Sequence, residues 1–337
     1  MYKTIAEGKA KIKVPEEQKI SKELPVFYNP VMEFNRTVSI LLLKAVENKK
    51  MQIALPLGGT GVRAVRFLKE LPKSKIKQLY INDINKEGFK IIEQNLKLNK
   101  VKAEVSNEDA NVFLIKSKGS DYIDIDPFGT PNPFLGSAIK RLARNGILAV
   151  TATDTGCLAG TYPKTCLRKY WAIPQRNETM HENGLRILIR KVQLIGADND
   201  KALTPIYSYF KDHYFRVFFR CEKGKKKVDK IIEQHGMFNK AGPLWLGQLW
   251  DKKLASKISK QSDDKFLKII EKESKIPIVG FFNIPKICKK HKLKMIKQEE
   301  IIKRIKKKGY NAAETHFAPN SLRSDIELKE LIKLFSQ

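Results

Sequence analysis

The sequence contains no long apolar run and few cysteines. None of its stretches reaches the roughly 18 consecutive apolar residues that a membrane-spanning helix needs, and its first residues lack the apolar segment of a signal peptide. The four cysteines, Cys157, Cys166, Cys221 and Cys288, form no Cys-x-x-Cys pair, which argues against a zinc finger and a disulfide framework. We therefore expect a soluble, cytoplasmic protein with no membrane partner, whose thiols are free and buried.

Acidic residues are scarce relative to basic ones. The chain has 65 Lys and Arg but only 36 Asp and Glu, which gives a net charge of +29. Heat adaptation would enrich Lys and Glu together, whereas here lysine is in excess in both halves of the chain. Such a positive field attracts polyanions, chiefly nucleic acid.

Length and composition predict two domains. The 337 residues suffice for two ordinary domains, and 42% hydrophobic residues can build substantial cores. Composition shifts in the basic segment 223–227, which we interpret as a linker. We therefore predict a first domain over residues 1–222 and a second over residues 223–337. Amphipathic patterns around residues 262–275 and 298–308 predict helices in the second domain.

Strand and helix patterns alternate through the first domain, which predicts a parallel sheet. One predicted helix covers residues 132–144 and is ended by Asn145-Gly146, before a fifth strand begins at Ile147. A buried strand over residues 50–57 leads into Gly58-Gly59-Thr60-Gly61, and a helical pattern follows. Glycines in such a turn let a ligand approach the backbone at a helix N-terminus. The nicotinamide-enzyme motif Gly-x-Gly-x-x-Gly is missing, because Val62, Arg63 and Ala64 follow Gly61.

Acids follow the next two strands at the same predicted edge of the sheet. Asp83 comes about 20 residues after the glycine turn, the offset at which an acid binds a ribose hydroxyl. Asp109 and Ala110 follow the third strand, where an acid and a small residue commonly face the adenine in methyltransferases. The pattern suits a nicotinamide or an S-adenosylmethionine enzyme. Seven strands, the last of them aromatic, favour the methyltransferase sheet.

The fourth strand ends in Asp126-Pro127-Phe128-Gly129. In isolation this is a common turn signal, but ligands bind at this end of parallel strands. An exocyclic base amine is a poor nucleophile, because its lone pair is delocalised into the ring. The carboxylate of Asp126 and the carbonyl of Pro127 can accept hydrogen bonds from such an amine and take up its proton. Phe128 can stack the flipped base, and Phe27 is either a second wall or a core residue.

Three further segments suit contact with RNA. Residues 154–165 predict a long polar loop that leads into residues 168–171, and together they combine glycines, hydroxyls, aromatics and bases. The basic run 303–308 is either a solvated helix face or a contact to the RNA backbone. Residues 316–324 are rich in donors that suit phosphate.

Together these motifs resemble one family, the archaeal-type tRNA (guanine-N2)-dimethyltransferases. The resemblance covers nearly the whole chain. The most specific segments are residues 26–36, 59–64, 124–131, 151–156, 162–163, 242–247 and 315–325.

The resemblance implies an α/β fold, a class I Rossmann-like S-adenosylmethionine methyltransferase sheet with a second, smaller α+β C-terminal domain that grips tRNA. It implies transfer of two methyl groups from S-adenosyl-L-methionine to N2 of guanosine 26 in tRNA. Asp126 would be the catalytic carboxylate, assisted by Pro127, with Phe27 and Phe128 stacking the base. The implied cofactor ligands are Arg36, Arg63, Asp83, Asp109 and Ala110.

Two other interpretations stay open. In the first, the enzyme acts on another exocyclic base amine, in RNA or DNA, which labelled methyl transfer to different nucleic acids would distinguish. In the second, the chain is a non-catalytic tRNA-binding protein, against which the glycine turn and Asp126 both argue.

The chain departs from the family pattern at two places. Its first strand ends in Ala54-Leu55-Pro56, without the acid that many class I methyltransferases have there. We therefore expect Arg63 to bind more of the methionine end of the cofactor. Many relatives also carry a cysteine-rich zinc site before the Gly-Pro-Leu-Trp motif, where this chain has only Cys221.

We predict that the protein binds no zinc, because one cysteine cannot supply the four ligands of a structural zinc site. We also expect a monomer. Elemental analysis of the purified protein should find far less than one zinc per chain. A chelator should leave its melting temperature unchanged. Stoichiometric zinc that survives gel filtration would contradict the prediction.

Overall fold

The structure, a computed structural model, describes residues 2–16 and 26–335. These residues form two compact units that are interleaved along the chain. The first unit contains the described residues of Met1–Thr153, with Val192–Thr204 and Phe218–Lys230; the second contains Asp154–Lys191, Pro205–Val217 and the described residues of Ile231–Gln337. The predicted division has one boundary, after residue 222. The two compact units, by contrast, each contain three separate segments of the chain.

The part of the chain up to Thr153 begins with an antiparallel hairpin and continues with alternating helices and strands. Its elements are β1 (Tyr2–Glu7), β2 (Ala10–Pro15), α1 (Glu33–Ala45), β3 (Met51–Leu55), α2 (Val62–Glu70), β4 (Ile76–Asn82), α3 (Lys86–Leu98), β5 (Glu104–Ser106), α4 (Ala110–Lys116), β6 (Ser120–Ile125), α5 (Asn132–Arg141) and β7 (Leu142–Ala152). Short 3-10 turns precede α1 and β4, at Pro30–Met32 and Lys73–Lys75.

The remainder mixes short helices with strands. Its elements are α6 (Thr155–Leu158), α7 (Pro163–Tyr170), α8 (Met180–Ala197), β8 (Lys201–Lys211), β9 (Tyr214–Lys223), α9 (Lys225–Ile232), β10 (His235–Phe238), β11 (Ala241–Trp245), α10 (Lys252–Ser259), α11 (Lys265–Glu273), β12 (Phe282–Asn283), α12 (Ile284–His291), α13 (Gln298–Lys307), β13 (Ala312–Glu314), β14 (Ser321–Ser324) and α14 (Leu328–Lys333). Within the described residues, every helix is too short or too polar to cross a membrane.

One mixed sheet of seven strands, counted over the described residues, has the order β5-β4-β3-β6-β7-β9-β8. Strands β3 to β7 pair in parallel, as the alternating pattern predicted. The chain runs outward from β3 through β4 to β5, then returns to place β6 on the other side of β3. The order therefore reverses between β3 and β6, which is where open α/β sheets bind ligands.

The Asn145-Gly146 pair lies inside a strand, which was predicted wrongly from the sequence. We expected a helix through residue 144 that this pair ends, but α5 ends at Arg141 and β7 begins at the next residue. The pairing of β7 with β6 jumps from Leu142 to Ile147, and Asn145 has φ 61°. Asn and Gly tolerate left-handed backbone, so the pair forms an irregularity within the strand rather than a helix end.

Two expected loops are helical. Residues 154–165 contain α6 and the start of α7 instead of a long irregular loop. The basic run at residues 225–227 begins α9 directly after β9, so it is not an extended linker. In both cases an isolated short helix has no strong periodic signal, because its stability comes from packing rather than from propensity.

A network of buried charges connects distant parts of the second unit. Arg323 on β14 donates to Glu182 on α8 (Nη2 to Oε2, 2.7 Å) and to Glu273 at the end of α11 (Nε to Oε1, 2.9 Å). Arg186 Nε donates to Glu182 at 2.9 Å, and His316 Nδ1 lies 2.6 Å from Glu273 Oε2. These side chains are at most 1% exposed. Nothing in the sequence pattern had predicted this network.

Acid stability should depend on this network. Burial would raise the pKa of Glu273, but the charges of His316 and Arg323 outweigh it and lower that pKa to about 2. In the unfolded chain a Glu titrates near 4.3. The stabilisation by this carboxylate is therefore complete above roughly pH 5 and is lost as the pH falls towards 2.

We expect Glu273→Gln to lower the free energy of unfolding at pH 7 by about 3–5 kcal/mol, because Arg323 loses a buried partner. The difference between variant and wild type should shrink at pH 3. Urea titrations at both pH values measure this. Glu271→Gln, on the same helix, breaks a pair with the exposed Lys275 and should cost about 1 kcal/mol or less. Equal losses in the two variants would refute the assignment.

Candidate active site

A buried asparagine fastens three strand ends at the carboxyl edge of the sheet. Asn82, the last residue of β4, donates from Nδ2 to the carbonyls of Pro56 at 3.1 Å and Glu108 at 2.9 Å. Its Oδ1 accepts from the Glu108 N–H at 2.9 Å. The segments that follow β3, β4 and β5 are thereby held together. Asn82 was not among the predicted site residues, although a polar residue closing an apolar strand was a usable signal.

Asp83 lies against the glycine turn. Its Oδ2 accepts from the Gly59 N–H at 2.7 Å, and its Oδ1 accepts from the Asn85 N–H at 2.9 Å. Burial raises the pKa of Asp83, and these two N–H groups offset the rise in part. Gly59 has φ +53°, and a Cβ there would lie 2.8 Å from the Phe27 carbonyl oxygen, so a larger residue would displace the turn.

Asp109 caps the helix that follows β5. Its Oδ1 accepts from the N–H groups of Asn111 at 2.8 Å and Val112 at 3.2 Å. The next residue, Ala110, is buried at the first position of α4. The cap alone gives Asp109 a structural role, while its second carboxylate oxygen is not used by the cap.

These adjacent strand ends fit the nucleoside part of S-adenosylmethionine. Asp83 offers a carboxylate for ribose hydroxyls beside a turn without side chains, and Asp109 and Ala110 offer an acceptor and a small apolar surface for the adenine. The structure thus brings together four features predicted for the cofactor: the glycine turn, Asp83, Asp109 and Ala110. Their role as cofactor ligands stays a prediction.

Arg63 connects α2 to the predicted catalytic turn. Its Nη2 donates to Asp126 Oδ2, and also to Asn35 Oδ1 at 3.0 Å. Its Nη1 donates to Ser39 Oγ at 3.0 Å and lies 3.3 Å from Asp124 Oδ2. Arg63 was predicted as a cofactor ligand; in the structure its guanidinium positions Asp126. The supporting residues on α1 were not predicted as part of the site.

The predicted catalytic turn is hydrogen-bonded to Thr153, the residue that follows β7. The Gly129 N–H donates to Thr153 Oγ1 at 2.7 Å, and the Thr153 N–H donates to the Gly129 carbonyl at 2.9 Å. Gly129 has φ +76°, and a Cβ there would meet nothing within 4 Å, so backbone conformation rather than crowding favours glycine. Asp126, Pro127 and Phe128 are therefore presented by a turn that is held at both ends.

The two predicted stacking residues contact each other. The ring centroids of Phe27 and Phe128 lie 4.1 Å apart with an interplanar angle of 64°. A base between two parallel rings needs them about 7 Å apart, twice a van der Waals contact. A base stacked on Phe128 would therefore either separate the rings or lie on the exposed surface of Phe128, which is 39% exposed.

Arg36 binds a buried glutamate that was not predicted as part of the site. Glu7, at the end of β1, accepts from Arg36 Nε at 2.7 Å and Nη2 at 2.5 Å, from Arg66 Nη1 at 3.1 Å and from the Tyr28 hydroxyl at 2.9 Å. Burial would raise the pKa of Glu7, but these partners, Arg36 first, lower it overall. Arg36 thus fastens the hairpin to α1, and a contact with the cofactor stays a prediction.

Within residues 2–16 and 26–335, no three His, Cys, Asp or Glu side chains are grouped so that they could hold a metal ion. Cys221 is buried in β9. The zinc content of the protein stays a prediction.

The sheet carries a glycine turn, two acids and an Asp-Pro-Phe turn at the edge where its strand order reverses. These features together define a Rossmann-like methyltransferase. A family model described as N2,N2-dimethylguanosine tRNA methyltransferase matches residues 8–241 and 234–336. The chain belongs to this family, as the motifs predicted.

Individual relatives span nearly the whole chain. The tRNA (guanine(26)-N(2)/guanine(27)-N(2))-dimethyltransferase of Aquifex aeolicus is 39% identical, over 98% of this chain and 94% of the relative. The tRNA (guanine(26)-N(2))-dimethyltransferase of Methanococcus maripaludis strain C7 is 38% identical, over 99% and 98%. The structure of Trm1 from Pyrococcus horikoshii with S-adenosyl-L-methionine has a TM-score of 0.88 at 32% identity, over 98% of each chain. The predicted fold class is confirmed.

The contact between Thr153 and Gly129 can be tested by replacement of one hydroxyl. Thr153→Val keeps the side-chain shape but leaves the Gly129 N–H without its acceptor, which costs about 1–3 kcal/mol. We expect methyl transfer to slow by about tenfold, with little change in cofactor affinity measured by calorimetry. Thr153→Ser retains the hydroxyl and should stay close to wild type. If both variants transfer methyl groups at the wild-type rate, the contact does not position the turn.

Proposed function

We propose that this protein transfers two methyl groups from S-adenosyl-L-methionine to the exocyclic N2 of guanosine 26 in tRNA. The observation that carries the proposal is the carboxylate of Asp126, held by Arg63 at the reversal point of the sheet. Membership of the dimethylguanosine methyltransferase family supports the choice of base and nucleic acid.

The cofactor, when bound, would supply an electrophilic methyl group on a sulfonium, and the break of its sulfur–methyl bond would leave a neutral thioether. Asp83 would bind its ribose, and Asp109 with Ala110 would bind its adenine. The glycine turn leaves room at the N-terminus of α2. Arg36 and Arg63 are further candidate ligands, although each already binds carboxylates in the protein.

Asp126 prepares the guanine amine for attack. Arg63 holds Oδ2, so we assign Oδ1 and the Pro127 carbonyl as acceptors for the amine hydrogens. These hydrogen bonds increase electron density on nitrogen, and Asp126 takes up the proton that leaves as the N–C bond forms. The amine has two hydrogens, and each transfer replaces one. The same carboxylate can therefore serve both steps, once it has released the first proton to solvent.

The base must leave its stack to reach this carboxylate. Phe128 is exposed enough to stack a flipped guanine, a contact worth about 1–3 kcal/mol. Phe27 either becomes the second wall when the rings separate or supports Phe128 from behind. An amine in another RNA or in DNA would meet the same groups, so recognition of tRNA depends on contacts outside the turn.

We further propose that residues 223–337 contribute tRNA contacts and that the enzyme is a zinc-free, cytoplasmic monomer. The net charge of +29 supports binding of a polyanion. Lys303, Lys306, Lys307 and Lys308 are exposed on and just after α13, where they are available to phosphates.

We expect Asp126→Ala to abolish methyl transfer while tRNA binding changes little, because the acceptor and base for the amine is lost. Mass spectrometry of nucleosides after reaction with unmodified tRNA transcript measures the dimethylguanosine formed, and filter binding measures affinity. Asp121→Ala is the matched control, since it removes a carboxylate from the opposite end of the same strand. Normal methylation by Asp126→Ala would refute the mechanism.

The same assay decides the position of the modified base. The relative from Aquifex aeolicus is named for guanines 26 and 27, so transcripts with guanine at 26 alone, 27 alone or both should be compared. Dimethylguanosine that depends on guanine 26 supports the proposal. Transfer to either position identifies the dual specificity, and absence of transfer to any tRNA refutes the proposed function.

A further inference from the structure

The outer face of α7 exposes a combination of apolar and basic side chains. Lys164, Leu167, Arg168 and Trp171 follow one another at helical spacing, so they share one face. Leu167 is 55% exposed and Trp171 is 47% exposed, and the two basic residues are exposed as well. The opposite face, which includes Tyr170, is buried in the second unit. The helix contains no acidic residue.

Trp171 has an unfavourable backbone conformation that the protein nevertheless maintains. It ends α7 with φ 56° and ψ 40°, a left-handed position where glycine is the usual residue. Its N–H donates to the Leu167 carbonyl at 3.1 Å, and its own carbonyl accepts from Arg190 Nη1 at 3.1 Å. A bulky residue in this conformation is unusual, which suggests that the indole ring itself has a use.

A buried lysine covers one side of the indole. Lys191 Nζ lies 2.9 Å from the ring centroid of Trp171, and the lysine is only 5% exposed. The exposed part of the ring is therefore the side away from Lys191. A cation beneath the ring withdraws electron density from it, which favours stacking of an electron-rich purine on the open side.

We propose that α7 is an RNA-binding element of this enzyme. An unpaired base of the tRNA stacks on the open face of Trp171, and Lys164 and Arg168 contact neighbouring phosphates. The combination of an exposed aromatic ring with flanking cations is how proteins bind unpaired nucleotides. The inference rests on the proposed function for its choice of tRNA, and the excess of positive charge favours RNA over a second protein.

Tryptophan fluorescence tests the stacking directly. The chain has three tryptophans, and Trp245 and Trp250 are buried, so Trp171 is the one that a base can reach. Unmodified tRNA should quench the fluorescence of the wild type, and this quenching should disappear in Trp171→Phe. Quenching that persists in the variant would overturn the proposal.

Binding measurements separate the ring from the backbone. Trp171→Gly removes the indole and relieves the left-handed strain, so the melting temperature should not fall. Its affinity for tRNA should drop at least about fivefold, whereas Trp171→Phe should lose less. Unchanged affinity in Trp171→Gly would overturn the proposal. A variant that changes only the sedimentation coefficient of the free protein, and not its affinity for tRNA, would also overturn it and would identify a contact between protein chains.

A pair of charge variants tests the phosphate contacts. Lys164→Ala with Arg168→Ala should flatten the plot of log affinity against log salt by roughly 1.4, the value for two phosphate contacts. The matched control is Lys73→Ala with Lys77→Ala, two exposed lysines, one in the 3-10 turn before β4 and one in β4. Equal slopes in the two double variants would exclude a specific role for α7.

Measurement of tRNA methylation by the wild type distinguishes failure of the α7 proposal from failure of the proposed function. If the wild type methylates tRNA but Trp171→Gly binds it normally, the α7 proposal fails and the proposed function stands. If the wild type methylates no tRNA, the proposed function fails; quenching by a mixed RNA pool then supports α7 as an RNA-binding element, and its absence overturns that inference too.

Discussion

The ion pair between Arg63 and Asp126 determines the arrangement of the active site. A carboxylate at the end of a strand can point in several directions, and a guanidinium with fixed donor geometry selects one of them. Arg63 is itself held by Asn35 and Ser39 on α1. The orientation of the Asp126 carboxylate therefore depends on how two helices pack, and not only on the turn that carries it.

Much of this arrangement is predictable because parallel strands carry a strong signal. The glycine turn and the acids each follow the end of a strand in the sequence. Parallel pairing brings these strand ends to the carboxyl edge of the sheet. The partners of Arg36, Arg63 and Glu7 could not be predicted from such a pattern. Each contact joins residues far apart in sequence, and a buried ion pair leaves no periodic pattern. For the same reason, the network around Glu273 and Arg323 could not be predicted from the sequence.

Elements that depend on packing were the ones predicted wrongly. Asn145-Gly146 suits a helix end, a turn or a strand irregularity equally well, and only its neighbour β6 decides among them. Helices α6, α7 and α9 are short, and such segments are helical because of what they pack against. Long strands and helices were recognised because many residues contribute to one period.

The contact between Phe27 and Phe128 also has an energetic meaning for the choice of substrate. An edge-to-face aromatic pair contributes about 0.5–1.5 kcal/mol beyond burial, and a ligand that separates the rings forfeits this amount. A planar purine can replace it by stacking, whereas a lysine amine or a small solvent molecule offers no ring in exchange. In the proposed mechanism the closed pair thus disfavours non-aromatic amines at Asp126.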